Sequence, residues 1–329
     1  MNSTANDENV ICICHLRPAR RRAVAVATEE ILSLLRDLHA EALQGGPLAE
    51  QGAVFWIKLP AETLDTAIAR LPHLGYTSAV DLLEPSSEQH VPKRAKSHVH
   101  AGARTQVQSI TSPTPQQVRW HHKTYQLVRI YEEDTQTMRE MSPDRRPFLL
   151  ETSDHVVREI HGYRGDGSTL RRRGLPVYDA RMLVNLVVSV ENGLFLDPFA
   201  GIGGIIIEAL ARGCTVFSID IDAALRHGLS KLGAHHQVAD ASRLPFATGT
   251  FDAIATEPPY HEQAHETVLA ALSEMTRVLK PGGRLAILST IEQAQDLRQQ
   301  INVLGLHLYL DVPIDRKGLD VVVLALQKD

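Results

Sequence analysis

Residues 256–260 read Thr-Glu-Pro-Pro-Tyr and follow the apolar run Phe-Asp-Ala-Ile-Ala. A proline has no N–H for a β-ladder and a fixed φ, so the strand ends there on a rigid corner. Pro258 and Pro259 keep the backbone from recoiling and present the Glu257 carboxylate, the Pro258 carbonyl and the Tyr260 ring together. Two acceptors beside an aromatic face suit an amino group attached to a flat ring. Such a nitrogen is a poor nucleophile, because its lone pair is delocalised. Accepting both of its hydrogens pulls it toward tetrahedral geometry and aims the lone pair. A base stacked on Tyr260 must leave its own stack to arrive there.

A second group of residues lies upstream, in LFLDPFAGIGGIIIEAL, residues 194–210. This is a strand, a small-residue turn and a helix. Gly201 and Gly203 let backbone approach a ligand, and free N–H groups at the helix start face it. Asp220 closes the next apolar run about 20 residues on, the spacing of a carboxylate on ribose hydroxyls. Asp197 heads the turn, where an acid repels a pyrophosphate and suits a cationic ligand such as the amino group of S-adenosylmethionine. Asp240, ending a third run, is placed to accept from an adenine amino group. Asp197 or Asp240 alone reads as a turn cap; the ordered set of acids and glycines favours the nucleotide site. With the motif neighbours Phe199, Ala200, Ile221 and Ala241 it makes up the predicted cofactor-binding set.

These residues need a frame. From residue 194 short β-rich runs alternate with helical stretches, which predicts a doubly wound, mainly parallel sheet covered on both faces, the α/β class. The tail LHLYLDVPIDRKGLDVVVLAL has two strands and no helix, hence an antiparallel hairpin at the edge. Residues 1–83 alternate β-α-β-α-β, a small unit of ferredoxin-like character. Residues 84–117 have no structural period and read as a basic linker, 118–174 as a connecting β and irregular segment, and 175–329 as the main domain.

The 329 residues carry a net charge of −5 with 43% hydrophobic residues, so this is no bulk polycation. The polar N-terminus lacks a signal peptide's pattern, and no apolar run is long enough to span a membrane, which predicts a cytoplasmic location. Cys12, Cys14 and Cys214 are too few for a disulfide framework. In a strand Cys12 and Cys14 share one face and His15 the other, so no metal is predicted.

The motifs LDPFAGIGG, SIDID, ADASRLPF, FDAIATEPPY and RVLKPGGRLAIL resemble the successive motifs of class I S-adenosylmethionine-dependent methyltransferases. With YDARMLVNLV before them, they resemble more narrowly the THUMP-associated tRNA guanosine-N2 methyltransferases, over about residues 175–326. The resemblance implies a seven-stranded sheet, S-adenosylmethionine as cofactor, tRNA as partner, and Glu257, Pro258, Pro259 and Tyr260 as the catalytic group. That family usually has Asp or Asn where this chain has Glu257.

Cations cluster at residues 17–22, across 86–124 (Lys93, Arg94, Lys96, Arg104, Arg119 and Lys123 against Glu88) and at Arg171, Arg172 and Arg173. Beside a base-amino motif they point to RNA phosphates. Two other readings stand beside RNA methylation. One is a DNA adenine-N6 or cytosine-N4 methyltransferase, which shares the Pro-Pro-Tyr device. The other is a non-catalytic RNA-binding module that keeps the fold.

Overall fold

A computed structural model describes residues 9–20, 23–86, 117–136, 147–152, 154–160, 174–189, 192–316 and 320–329. Strands β1 (Asn9–Leu16), β2 (Glu41–Leu43), β3 (Val54–Pro60), β4 (Thr77–Pro85), β5 (Gln117–Trp120) and β6 (Lys123–Glu132) form one antiparallel sheet in the order β2-β3-β1-β4-β6-β5. Its first four strands have the ferredoxin-like order. Helices Val24–Leu34 and Leu64–Arg70 are the crossovers of that unit. The hairpin β5–β6 extends the sheet from β4, so residues 117–132 belong with the N-terminal unit although the sequence reading set them between domains. β2 spans three residues, too short for a period-2 pattern to register.

β7 (Phe148–Glu151) and β8 (Val157–Ile160) form a small separate hairpin. β9 (Leu194–Asp197), β10 (Thr215–Asp220), β11 (His235–Val238), β12 (Phe251–Thr256), β13 (Leu279–Thr290), β14 (Leu306–Asp315) and β15 (Asp320–Lys328) form a seven-stranded sheet, ordered β11-β10-β9-β12-β13-β15-β14. β9 to β13 run parallel; β15 is antiparallel to β13 and to β14. The predicted edge hairpin is therefore present, with its second strand inserted next to β13. The central strand β12 is buried at every position but Asp252, because both faces of the sheet are covered. The strand order reverses between β9 and β12, and ligands bind beyond the carboxyl ends of strands at such a crevice.

Helix Val177–Val187 joins the two units and is almost wholly buried, including Asp179 and Asn185. Asp179 and the Asn185 amide nitrogen are both answered from the N-terminal unit, whereas Asn185 Oδ1 has no partner among the described residues. Asn185 Nδ2 donates to Glu30 Oε1 at 2.9 Å and to the His73 carbonyl at 2.8 Å. Glu30 in turn accepts from the Gly75 and Tyr76 amides at 2.6 and 2.9 Å. Tyr76 donates its hydroxyl to Asp179 at 2.8 Å, and Arg20 reaches both Asp179 oxygens at 2.9 and 3.0 Å. The docking of the units is thus a set of buried, directional contacts as well as an apolar core.

Candidate active site

The turn after β9 is held by acids gripping backbone amides. Asp220, at the end of β10, accepts from Gly201 N at 2.8 Å and from Asp222 N at 2.9 Å. Gly201 and Gly203 have φ of 51° and 83°, where a side chain is strained. A Cβ on Gly203 would also meet Leu232 Cδ1 at 2.2 Å, whereas one on Gly201 would meet nothing within 4 Å. Gly203 is needed for the turn and its packing; Gly201 borders open space.

Asp240 caps the next turn through Ser242 N at 2.8 Å and is exposed, while Ala241 is buried and Phe199 half-buried. Ile221, 72% exposed, and Val238, 40% exposed, stand beside the two acids. Apolar side chains left open at strand ends suit the face of a flat base. Ile221 belongs to the expected set and Val238 does not, although both stand open at strand ends.

Asp197 is 1% exposed. Its Oδ1 accepts from Phe199 N at 3.2 Å and from the Thr256 hydroxyl at 2.8 Å, and Oδ2 has no partner among the described residues. Burial, partly offset by those two donors and reinforced by the charges of Asp220 and Glu257, pushes its carboxyl up to about 7. An unpartnered oxygen on a buried acid fits an incoming cation. Thr256 is the last residue of β12, so this bond ties the turn to the segment that carries Glu257.

That segment is braced from three directions. Gln293 donates Nε2 to the Pro259 carbonyl at 2.8 Å, and its Oε1 accepts from Thr290 N, inside the capping box that opens helix Ile291–Ile301. Tyr260 donates its hydroxyl to Glu257 Oε1 at 2.6 Å. Arg316, beyond β14, donates to the same Oε1 and to the Tyr260 hydroxyl at 3.1 Å. Its Nε lies 3.3 Å from Asp179 Oδ2. The Tyr260 ring, expected to be an open stacking face, is half-buried against the core, since its hydroxyl turns inward to Glu257. Burial and the Glu257 charge push that phenol far above its ordinary value, so it remains a donor. Among the described residues both contacts to the Glu257 carboxylate fall on Oε1, and Oε2 is unengaged.

Comparison with known proteins agrees with this frame. Residues 196–287 match the family model described as a methyltransferase domain. Those residues are a methyltransferase domain. The cofactor of this class of domain is S-adenosylmethionine; the sequence reading expects Asp220 at its ribose, Asp240 at its adenine and Asp197 at its amino group. The chain is 35% identical over 153 residues to the tRNA (guanine(10)-N2)-dimethyltransferase of Pyrococcus abyssi, covering 40% of this chain and 45% of that one. It is 32% identical over 133 residues to the tRNA (guanine(10)-N(2))-methyltransferase TRMT11 of Rattus norvegicus, covering 32% and 26%. The chain thus spans less than half the length of either curated relative. The crystal structure of TrmN from Thermus thermophilus superposes with a TM-score of 0.50 at 17% identity, covering 98% of this chain and all of that one. At that identity the likeness shows the shared fold.

The basic clusters fare differently. Arg17 and Arg20, expected to face phosphates, are internal: Arg17 pairs with Glu133 and Arg20 with Asp179, and both lie over the Tyr178 ring. Arg119 and Lys123 are exposed on the β5–β6 hairpin, on either side of Trp120 and His121, whose rings are 4.5 Å apart. Lys93, Arg94, Lys96, Arg104 and Arg171–Arg173 lie outside the described residues. Cys12 and Cys14 lie in the core, where burial pushes the Cys12 thiol up to about 12. Among the described residues no cluster of His, Cys, Asp and Glu could hold a metal ion, and no helix is long and apolar enough to cross a membrane.

Proposed function

We propose that the chain is an S-adenosylmethionine-dependent RNA methyltransferase acting on an exocyclic base amino group, guanosine N2 of tRNA. The observation that carries this is the unengaged Oε2 of Glu257, held at the carboxyl end of β12 next to the cofactor turn. The names of the two curated relatives supply the tRNA and the guanine N2. Bound at the turn, the cofactor supplies an electrophilic methyl group, and its sulfur would keep the electron pair of the carbon–sulfur bond that breaks as the base nitrogen takes up the methyl group. Glu257 Oε2 and the Pro258 carbonyl take the two N–H groups of the base and aim its lone pair. The nitrogen sheds one proton toward Glu257. Tyr260 orients the carboxylate through its hydroxyl, and the exposed part of its ring borders the base.

Arg119, Lys123 and the Arg171–Arg173 run supply phosphate contacts in this reading, and the working location is the cytoplasm. RNA is favoured over duplex DNA because only a short turn and helix His265–Val278 separate β12 from β13, leaving no insert for duplex recognition. The test is labelling of total tRNA, rRNA and DNA from cells lacking the protein with tritiated S-adenosylmethionine, followed by nucleoside analysis. N2-methylguanosine in tRNA is expected. Label confined to DNA, or none in any pool, would overturn the proposal.

A further inference from the structure

Arg316 has no part in the motifs of the methyltransferase domain, yet it is the only described cation on Glu257. Its side chain is 16% exposed and sits between two carboxylates, the wholly buried Asp179 and the 21% exposed Glu257. Asp179 is fixed in turn from the N-terminal unit by Arg20 and by the Tyr76 hydroxyl. Arg20 also donates to the Asp315 carbonyl at 3.2 Å, the residue just before Arg316. The guanidinium is therefore placed from behind by groups that touch neither the cofactor turn nor β12. A planar guanidinium shared by two acids in a dry setting fixes direction as well as charge.

Glu257 needs such a grip. It is one rotatable bond longer than the Asp that usually precedes Pro-Pro-Tyr, and each free rotor lets the carboxylate wander from the productive geometry. Here Arg316 and Tyr260 converge on Oε1. A carboxylate held by one oxygen points the other along a set direction.

We propose that Arg316 is a positioning residue of the acceptor site: anchored through Asp179 to the N-terminal unit, it clamps Glu257 Oε1 so that Oε2 meets the target amino group. This rests on the acceptor role given to Glu257 above. The seating of the N-terminal unit thereby sets the aim of the acceptor.

The experiment is single-turnover methylation of undermodified tRNA at saturating S-adenosylmethionine by wild type, Arg316→Gln, Glu257→Gln and the double variant, with cofactor affinity measured alongside. Arg316→Gln should slow the step by about tenfold to a hundredfold and leave cofactor affinity within about twofold, since no cofactor contact is touched. The double variant should be no slower than Glu257→Gln alone, because a residue acting only through Glu257 adds nothing once Glu257 is gone. Losses that multiply, or a wild-type rate in Arg316→Gln, would overturn the proposal. Arg316→Lys keeps the charge and guards against misfolding. Its single ammonium cannot span both acids in the same plane, so it should recover only part of the rate, and full recovery would count against a directional clamp. Wild-type protein that methylates no RNA would overturn the acceptor reading itself, a result distinct from an Arg316 variant that behaves normally.

Discussion

The cofactor turn and the acceptor corner meet at one hydrogen bond, Thr256 to Asp197, yet they are built by opposite means. The turn is made of backbone amides gripped by nearby acids: Phe199 N by Asp197, Gly201 N by Asp220, Ser242 N by Asp240, all within 19 residues. The corner is made of side chains from far away: Gln293 lies 34 residues from Pro259, Arg316 lies 59 from Glu257, and Arg20 lies 159 from Asp179. A turn of the first kind needs its own strand ends and little else. A corner of the second kind depends on how the N-terminal unit seats on the domain. Variants in the turn should therefore appear as lost cofactor affinity, and variants in the corner as lost turnover.

The largest effect should come from the corner. Glu257→Ala is expected to lower kcat by about 10²–10³, because an acceptor used in the transition state is gone, while calorimetric affinity for the cofactor stays near wild type. Glu257→Asp should keep part of the rate; it restores the usual acid but draws away from Arg316. If a folded Glu257→Ala protein turned over normally, the corner would have no role in chemistry.

In the turn, Asp220→Ala should weaken cofactor binding by about 1–3 kcal/mol, since ribose hydroxyls lose a charged acceptor. Asp220 also holds two backbone amides, so the loss belongs toward the upper end. Titration calorimetry measures it. Unchanged affinity would place the ribose elsewhere.

The same division explains what the sequence could reveal. Asp197, Gly201, Gly203, Asp220 and Asp240 stand in local patterns of strand end, small residue and acid, so their neighbours in space are their neighbours in sequence. Alternating apolar runs likewise gave the parallel sheet and its edge hairpin. Arg316 stands in the sequence VPIDRKG, which carries no motif, and Asp179 in a helix that reads only as apolar. Nothing in either segment says that they meet, because their ion pair is a product of tertiary packing. Gln293 left a trace, Thr290-x-x-Gln293, which marks a capping box but not the carbonyl that its amide also serves. Arg17 and Arg20 misled for the converse reason: a run of cations looks the same in sequence whether it faces solvent or a buried acid. The strand character of residues 117–132 was readable, but their partner strand was not.

A smaller effect follows from the Asp197 carboxyl, pushed from 3.8 up to about 7 chiefly by burial. A cationic amino group beside Oδ2 prefers the ionised acid. Cofactor affinity should therefore rise with pH through about 7, by at most tenfold per unit. It should fall again as the ligand's α-amino group loses its proton at about 7.7–8.0. Asp197→Asn should flatten the rising limb. Without ligand the sign reverses. The folded protein holds this proton more tightly than the unfolded chain, so the contribution to stability is present at low pH and is lost as pH rises toward 7. Affinity measured from pH 5.5 to 8.5 checks the first statement. A flat wild-type profile would move the amino group away from Asp197.

The smallest effect tests whether the N-terminal unit reaches the corner at all. Tyr76→Phe removes one hydroxyl, the donor to Asp179 at 2.8 Å, and leaves Arg20 and Arg316 on that carboxylate. The ring stays, so the apolar packing of this fully buried residue is conserved. With one of its anchors gone, Asp179 gains freedom, and Arg316 and Glu257 gain it in turn. The expected cost in turnover is about 0.5–1 kcal/mol, a twofold to fivefold drop in the single-turnover rate. Cofactor affinity should not change, because no bond of the turn leads back to Tyr76. A slower rate with unchanged affinity would mark a substitution in the N-terminal unit acting on the corner alone. A rate equal to wild type would mean that Arg20 fixes Asp179 unaided; a fall in affinity instead would mean that turn and corner are one cooperative unit and that their contrast is only one of construction.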